Sequence, residues 1–210
     1  MGSGAKAILK RGAAAGIVAL ALLGCPKAST AQDEALFITV GQQTSPPAGW
    51  GQFCGEYDPE CKTGPTVPRD VVLSEQIWND LVRVNHWVNT NITPITDLAH
   101  WGVVERWNYP DDGYGDCEDY ALEKRRMLID AGWPREALLM TVVLDQNGAG
   151  HAVLTVKTNQ GEFILDNMRD DVLLWSNTGY RFVKRQAQFD PNVWLSLGEP
   201  NSPTLTSSVP

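Results

Sequence analysis

Asp111-Asp112-Gly113-Tyr114-Gly115-Asp116-Cys117-Glu118-Asp119-Tyr120-Ala121-Leu122-Glu123-Lys124-Arg125-Arg126-Met127-Leu128-Ile129-Asp130-Ala131-Gly132 reads as a glycine-bearing loop that runs into a helix. The helix opens at Asp116 or Cys117. Asp116 is a good N-cap, because its carboxylate can accept the free N–H groups of the first turn. Glu118 and Asp119 add negative charge at the positive end of the helix dipole, and Lys124, Arg125 and Arg126 lie toward its negative end. Gly132 supplies a stop, followed by Pro134. Ala121, Leu128 and Ala131 share a face with Cys117 at helical spacing, so that face is expected to be buried. A cysteine on the first turn of a core helix sits where the dipole and unpaired N–H groups favour a thiolate, while its acidic neighbours oppose one. The plainer reading is a small buried core cysteine.

Strand patterns follow the helix. Ala137–Leu144 is a continuous apolar run suited to a central strand, and Asp145–Gly150 is a turn containing Asn147-Gly148. His151–Lys157 alternates, with Ala152, Leu154 and Val156 on one face and His151, Val153 and Thr155 on the other. Thr158–Gly161 is turn chemistry, and Glu162–Asp166 is the next strand. Asp171–Trp175 and Tyr180–Lys184 are expected to complete the sheet. In an antiparallel hairpin turning near Thr158–Asn159, His151 at the start of one strand lies opposite Asp166 at the end of the next. A slip of a residue or two makes them diagonal neighbours. Cysteine at a helix start, histidine to share its proton and carboxylate to orient the imidazole are the parts of a nucleophilic triad: Cys117, His151 and Asp166. Taken singly, His151 is equally a hydrogen-bonded strand-edge histidine and Asp166 a turn cap.

Upstream, Ser74 is placed as an N-cap, and Leu73 with Trp78 as a hydrophobic staple. Ile77, Leu81, Val84 and Val88 recur at helical spacing, which predicts a helix over Ser74–Thr90. His86 is expected on its surface. Trp101, Trp107, Tyr109 and Tyr114 lie on the approach to the cysteine helix. They are candidates for the wall of a substrate cleft, with core packing the ordinary alternative. Residues 32–70 carry much Gly, Pro and Gln and are read as an irregular N-terminal arm with a short strand at Ala35–Val40. Trp50, Phe53 and Tyr57 are expected to pack onto the domain.

The chain has 210 residues, of which 43% are hydrophobic, enough for one domain with a real core. Lys6, Lys10 and Arg11 precede an apolar run from Gly12 to Gly24 and small residues through Ala31. That is the pattern of a cleaved signal peptide over residues 1–31, with Leu22–Cys25 also similar to a lipoprotein box. The expectation is a division into signal peptide (1–31), arm (32–70), catalytic domain (71–197) and disordered tail (198–210), with export to the periplasm or medium. Removal of residues 1–31 takes four basic and no acidic residues and moves the formal charge from −8 to −12. So acidic a domain is a poor partner for nucleic acid or anionic membrane. Cys54 and Cys61 flank an Asp-Pro turn and can pair in an oxidising compartment, which leaves Cys117 as the odd thiol. No Cys-x-x-Cys or His-x-x-x-His spacing suggests zinc.

Gly115–Tyr120, Gly150-His151-Ala152-Val153-Leu154 and Leu165-Asp166-Asn167 resemble the motifs of the bacterial transglutaminase-like cysteine peptidases. Val84-Asn85, Val88-Asn89 and the approach from Trp107 to Pro110 are similar too, and the likeness covers roughly Val71–Leu197. The resemblance implies an α+β fold with a papain-like core, helices including the cysteine helix packed on an antiparallel sheet. It implies a cysteine endopeptidase with the triad Cys117, His151 and Asp166, acting on a protein substrate. Known members release a surface adhesin, answer to an inner-membrane receptor for cyclic-di-GMP, and bind calcium through acidic residues that match Asp116, Glu118 and Asp119. Three carboxylates beside a nucleophilic thiol disfavour the thiolate unless a cation compensates, and oxygen ligands suit calcium. The Cys117 N–H is the natural first oxyanion donor, with a second expected from the Trp107 region. A monomer is expected. The competing readings are acyl transfer or deamidation at protein glutamine, and a non-catalytic receptor-binding module.

Overall fold

The computed structural model describes residues 36–62 and 66–198. The expected signal peptide over 1–31 and the tail from 199 onward lie outside the described residues. Nine strands form two sheets among the described residues. The larger has seven antiparallel strands in the order β1-β9-β8-β4-β5-β6-β7. They are β1 (Val40–Thr44), β4 (Leu138–Leu144), β5 (Gly150–Thr158), β6 (Gly161–Asp166), β7 (Arg169–Leu174), β8 (Arg181–Gln186) and β9 (Trp194–Leu197). The smaller is a parallel pair, β2 (Thr93–Pro94) and β3 (Tyr114–Gly115). The helices are α1 (Ala48–Glu56), α2 (Asp58–Cys61), α3 (Glu75–Asn91), α4 (Asp97–His100) and α5 (Cys117–Asp130).

The period-2 pattern of β5 decides how the layers stack. Leu154 and Val156 join the larger core cluster with Leu81, Val84 and Val88 of α3 and Ala121, Leu122 and Leu128 of α5. Val153 points the other way, into a second cluster with Ile38, Val143, Ile164 and Phe182. Each fully buried aliphatic side chain of this kind contributes about 1.5–3 kcal/mol. The turn before β5 is held by Asp145, whose carboxylate accepts the N–H groups of Asn147 and Ala149 at 2.8 Å each.

α3 opens as expected, with Ser74 Oγ accepting the Ile77 N–H at 3.3 Å. α5 ends in a Schellman turn: Gly132 adopts φ of 89°, its N–H bonds to Ile129 O and the Trp133 N–H bonds to Leu128 O. Two expectations for α5 need correction. Asp116 stands at the N-cap but makes no side-chain cap bond; its Oδ2 instead accepts the Asp97 N–H at 3.3 Å. Ala131 is exposed, because the chain is already leaving the helix there. Lys124 and Arg125, which lie toward the negative end of the dipole, are 0% and 1% exposed, so α5 is a central helix covered on most sides.

The arm is not irregular. Its strand lies at 40–44 rather than 35–40, and α1 and α2 pack into the core, with Trp50 and Phe53 buried. Trp50 sits 5.4 Å from Phe53 and 6.1 Å from both Trp107 and Trp194. A nine-residue helix with three glycines has little periodicity to read, and its stability comes from this aromatic packing. Cys54 and Cys61 are disulfide-bonded across α1 and α2. Asn192 Nδ2 donates to Cys61 O at 2.8 Å and ties that unit to the approach to β9.

Candidate active site

Cys117 opens α5 half-buried, the only free cysteine among the described residues. The preceding Gly115 is forced: a Cβ there would lie 2.7 Å from Asp119 Cβ. The sulfur accepts the Ala152 N–H of β5 at 3.4 Å, and its thiol donates to Glu118 Oε2 at 3.1 Å. Burial pushes the Cys117 thiol well above its usual range, and the Glu118 charge pushes it further, against a smaller lowering by the Ala152 N–H.

His151, next to Ala152, is buried, and its Nε2 lies 2.8 Å from Asp166 Oδ1. That bond leaves Nδ1 as the ring nitrogen able to take a proton from the sulfur. The β5–β6 register pairs Leu154 with Leu165, so Asp166 falls opposite Val153 rather than His151. The offset of two residues keeps both side chains on one face and makes them diagonal neighbours. Burial raises the Asp166 pKa, but hydrogen bonds from His151 and Tyr180 outweigh it, and the carboxyl is held below its ordinary value.

Of the residues around Asp166, Asn85 and Asn89 were named by the motif resemblance without a role, and Tyr180 was not singled out by sequence reasoning. Tyr180 Oη donates to Asp166 Oδ2 at 2.5 Å. From α3, Asn85 Oδ1 accepts the Asp166 N–H at 3.1 Å and Asn89 Nδ2 donates to Asp166 O at 2.9 Å. Both asparagines also donate to Arg169 O, so α3 clamps the turn between β6 and β7. Their spacing of four on a helix face was the available signal. Lys124 lies beneath, its Nζ without a hydrogen-bond partner and 6.0 Å from the Tyr120 ring centroid. Burial pulls its pKa down to about 7, opposed by the charges of Asp166 and Asp170.

The third feature is acidic. Carboxylate oxygens of Asp97, Asp116 and Glu118 lie within 4.8 Å of one another. Asp97 is brought in by the β2–β3 pair, where Thr93 N–H bonds to Gly113 O at 2.8 Å and Ile95 N–H to Gly115 O at 3.0 Å. Asp116 Oδ1 and Glu118 Oε1 are buried without partners. Burial raises Glu118 to about 10, helped by the Asp116 charge, and burial likewise raises Asp97. A set of oxygen-only donors with buried, unpartnered atoms and, among the described residues, no ion-pair partner fits a hard divalent ion. Of the three carboxylates expected at a metal, Asp116 and Glu118 stand together in this trio. Asp97 joins them, and Asp119 adjoins the trio: its Oδ1 accepts the Asn108 N–H at 2.9 Å, its Oδ2 is buried without a partner, and burial with the charges of Asp116 and Asp97 raises its pKa to about 8.

The aromatic approach divides. Trp107 and Tyr109 are core residues, and Trp101 and Tyr114 are 39% and 45% exposed. The Trp107 indole N–H, in the region expected to supply a second oxyanion donor, is spent on Glu105 Oε1 at 2.7 Å. His86 is on the surface, 3.1 Å from Asp170 Oδ2.

A helix-borne cysteine laid against the histidine and aspartate of an antiparallel sheet is the arrangement of a papain-like cysteine peptidase. The family model described as bacterial transglutaminase-like cysteine proteinase matches residues 40–202, and the chain belongs to that family of cysteine peptidases. The match takes in α1 and α2 as well as the residues that carried the motif resemblance. The solved structure titled Legionella pneumophila LapG (calcium-bound) is similar, at 24% identity over 69% of this chain and 77% of that one, with a TM-score of 0.49. Legionella pneumophila LapG is 26% identical over 66% and 72%, with a TM-score of 0.48. Its EGTA-treated form is 25% identical over 68% and 75%, also at 0.48. No curated protein sequence matches the chain.

Proposed function

We propose that this chain is an exported cysteine endopeptidase in which Cys117, His151 and Asp166 act as a triad on a protein of the cell surface or periplasm. The observation that carries the reading is the His151–Asp166 bond of 2.8 Å beside a sulfur that accepts the neighbouring Ala152 N–H. Asp166 fixes the Nε2–H tautomer and so leaves His151 Nδ1 basic toward Cys117. His151 takes the thiol proton as the sulfur attacks the peptide carbonyl, then returns it to the leaving amine. Water, deprotonated by the same imidazole, releases the acyl group and restores the thiol. The Cys117 N–H at the start of α5 is the first donor to the oxyanion.

Asp116, Glu118 and Asp119, the carboxylates marked by the motif resemblance, would hold calcium together with Asp97. The ion supplies positive charge that offsets the field now opposing the Cys117 thiolate. The four residues also join the segment after β2 to the start of α5, so their occupation ties the two walls of the site together. Release of an adhesin, and control by an inner-membrane receptor for cyclic-di-GMP, are the parts of this proposal supported by the motif resemblance. Export rests on the pattern of residues 1–31.

Comparative proteomics of outer membrane and medium, with wild-type chain and with Cys117→Ala, tests the proposal. A surface protein that is shortened only in the presence of Cys117 is the expected result. Identical sets of protein termini in the two strains would sink the endopeptidase reading.

A further inference from the structure

We infer that Tyr180 is a positioning residue of the triad, whose hydroxyl locks the Asp166 carboxylate in the orientation that serves His151; the inference rests on the peptidase reading above. The terminal torsion of an aspartate is soft, so a carboxylate bonded through one oxygen can rotate and carry that oxygen off its partner. Here the two oxygens have separate partners. Oδ1 accepts His151 Nε2 at 2.8 Å and the Met168 N–H at 2.9 Å. Oδ2 accepts Tyr180 Oη at 2.5 Å, with Arg169 Nε at 3.5 Å.

Tyr180 reaches Asp166 from a distant part of the sheet. It precedes β8, which is separated from β6 by β4 and β5. Gly179 turns the chain at φ of 74°, and the Tyr180 N–H is pinned to Thr178 Oγ1 at 3.2 Å. The ring stands edge-on to the His151 imidazole with centroids 5.6 Å apart, and the Arg169 guanidinium lies 5.4 Å from its centroid on another side. One side chain therefore touches the base, the carboxylate and the cation beside it. Burial and the Asp166 charge push the phenol up to about 12, so it stays protonated and donates. A tyrosine kept only for its ring would not need its hydroxyl on the triad carboxylate.

Tyr180→Phe keeps the ring and removes the donor. In calcium-containing buffer, the His151 Nε2–H proton of the parent is expected far downfield in the NMR spectrum and slow to exchange with water. In Tyr180→Phe its exchange accelerates about tenfold and iodoacetamide labelling of Cys117 slows by a similar factor, the loss of one hydrogen bond to a charged group. Circular dichroism stays parental. Thr178→Val, which frees the Tyr180 backbone but keeps the hydroxyl, produces a smaller acceleration and serves if Tyr180→Phe does not fold. Parental exchange rates in the folded variants overturn the inference. A parent without a protected His151 proton overturns the triad as well, which separates the two failures.

Discussion

Glu60 and Glu118 are buried or partly buried carboxylates against the same helix, α5, in opposite electrostatic surroundings. Glu60 meets Arg125 Nη1 at 2.7 Å and also bonds to Arg135. Burial alone would raise its pKa, but the two guanidiniums win and hold it below the ordinary carboxylate value. Glu118 has Asp116, Glu105 and the Cys117 thiol for neighbours, and burial with like charge raises it to about 10. Far from the site, Glu162 repeats the first pattern, with Arg185 Nη1 at 2.6 Å and Lys157 Nζ at 2.8 Å. Both of these structural carboxylates are thus matched by built-in cations. The carboxylates around Cys117 are left unmatched, which costs stability unless an external cation completes them.

The largest effect expected on breaking this contrast is catalytic. Cys117→Ala and His151→Ala should each reduce proteolysis by about 10³-fold or more, whereas Asp166→Asn should leave a measurable remainder. Quantitative mass spectrometry of cleaved termini reads all three. Wild-type cleavage by a folded Cys117→Ala protein would remove the site from this end of the helix.

The second effect belongs to the unmatched end. Calcium at a hundredfold excess over its dissociation constant should stabilise the metal-stripped protein by about 2.7 kcal/mol. For a domain of this size that is a rise of about 5–10 °C in melting temperature. Asp97→Asn should abolish the calorimetric signal, and Asp119→Asn should weaken it less. The reverse order would make Asp119 the stronger ligand and Asp97 the lesser one.

Glu60→Gln tests the matched end and should cost about 3 kcal/mol at neutral pH by stranding buried Arg125. The sign with pH follows from the lowered value of Glu60. Its contribution is fully present above the unfolded pKa of 4.5 and disappears as pH falls through the depressed folded value. Urea midpoints should therefore differ most between parent and variant near neutrality and converge in acid. A gap that persists unchanged into acid would show that packing, not charge, is what Glu60 supplies.

The smallest effect is the covalent one. Opening the Cys54–Cys61 loop, seven residues in separation, should cost about 2 kcal/mol by the loop-entropy relation. Paired serine substitutions measure it. A drop well above that figure would mean that the disulfide also holds α2 and Glu60 against Arg125, joining the two halves of the comparison.

Much of this was legible in residues alone. Asp116 through Gly132 announced its helix through charge order and a glycine stop. The apolar run at 138–144 and the alternation at 151–157 announced two strands, and the distance from His151 to Asp166 allowed a hairpin contact. The arm was misread because α1 and α2 have too few periodic positions to compete with their glycines and prolines. Tyr180 and Asp97 were missed because neither carries a local signal; one comes across two intervening strands and the other through a two-residue parallel bridge.

The sequence by itself pointed to the class of enzyme, through the motif resemblance of Gly115–Tyr120, Gly150–Leu154 and Leu165–Asn167, and to the three residues proposed to react, because helix starts, strand alternation and the Gly-Asp-Cys-Glu-Asp run are local patterns that survive without coordinates. Only the tertiary structure decided the two-residue offset between His151 and Asp166, the entry of Asp97 into the acidic trio, and the division of burial that leaves Glu60 matched and Glu118 unmatched. Register, loop apposition and desolvation are properties of segments brought together from distant parts of the chain, and no window along the chain contains them.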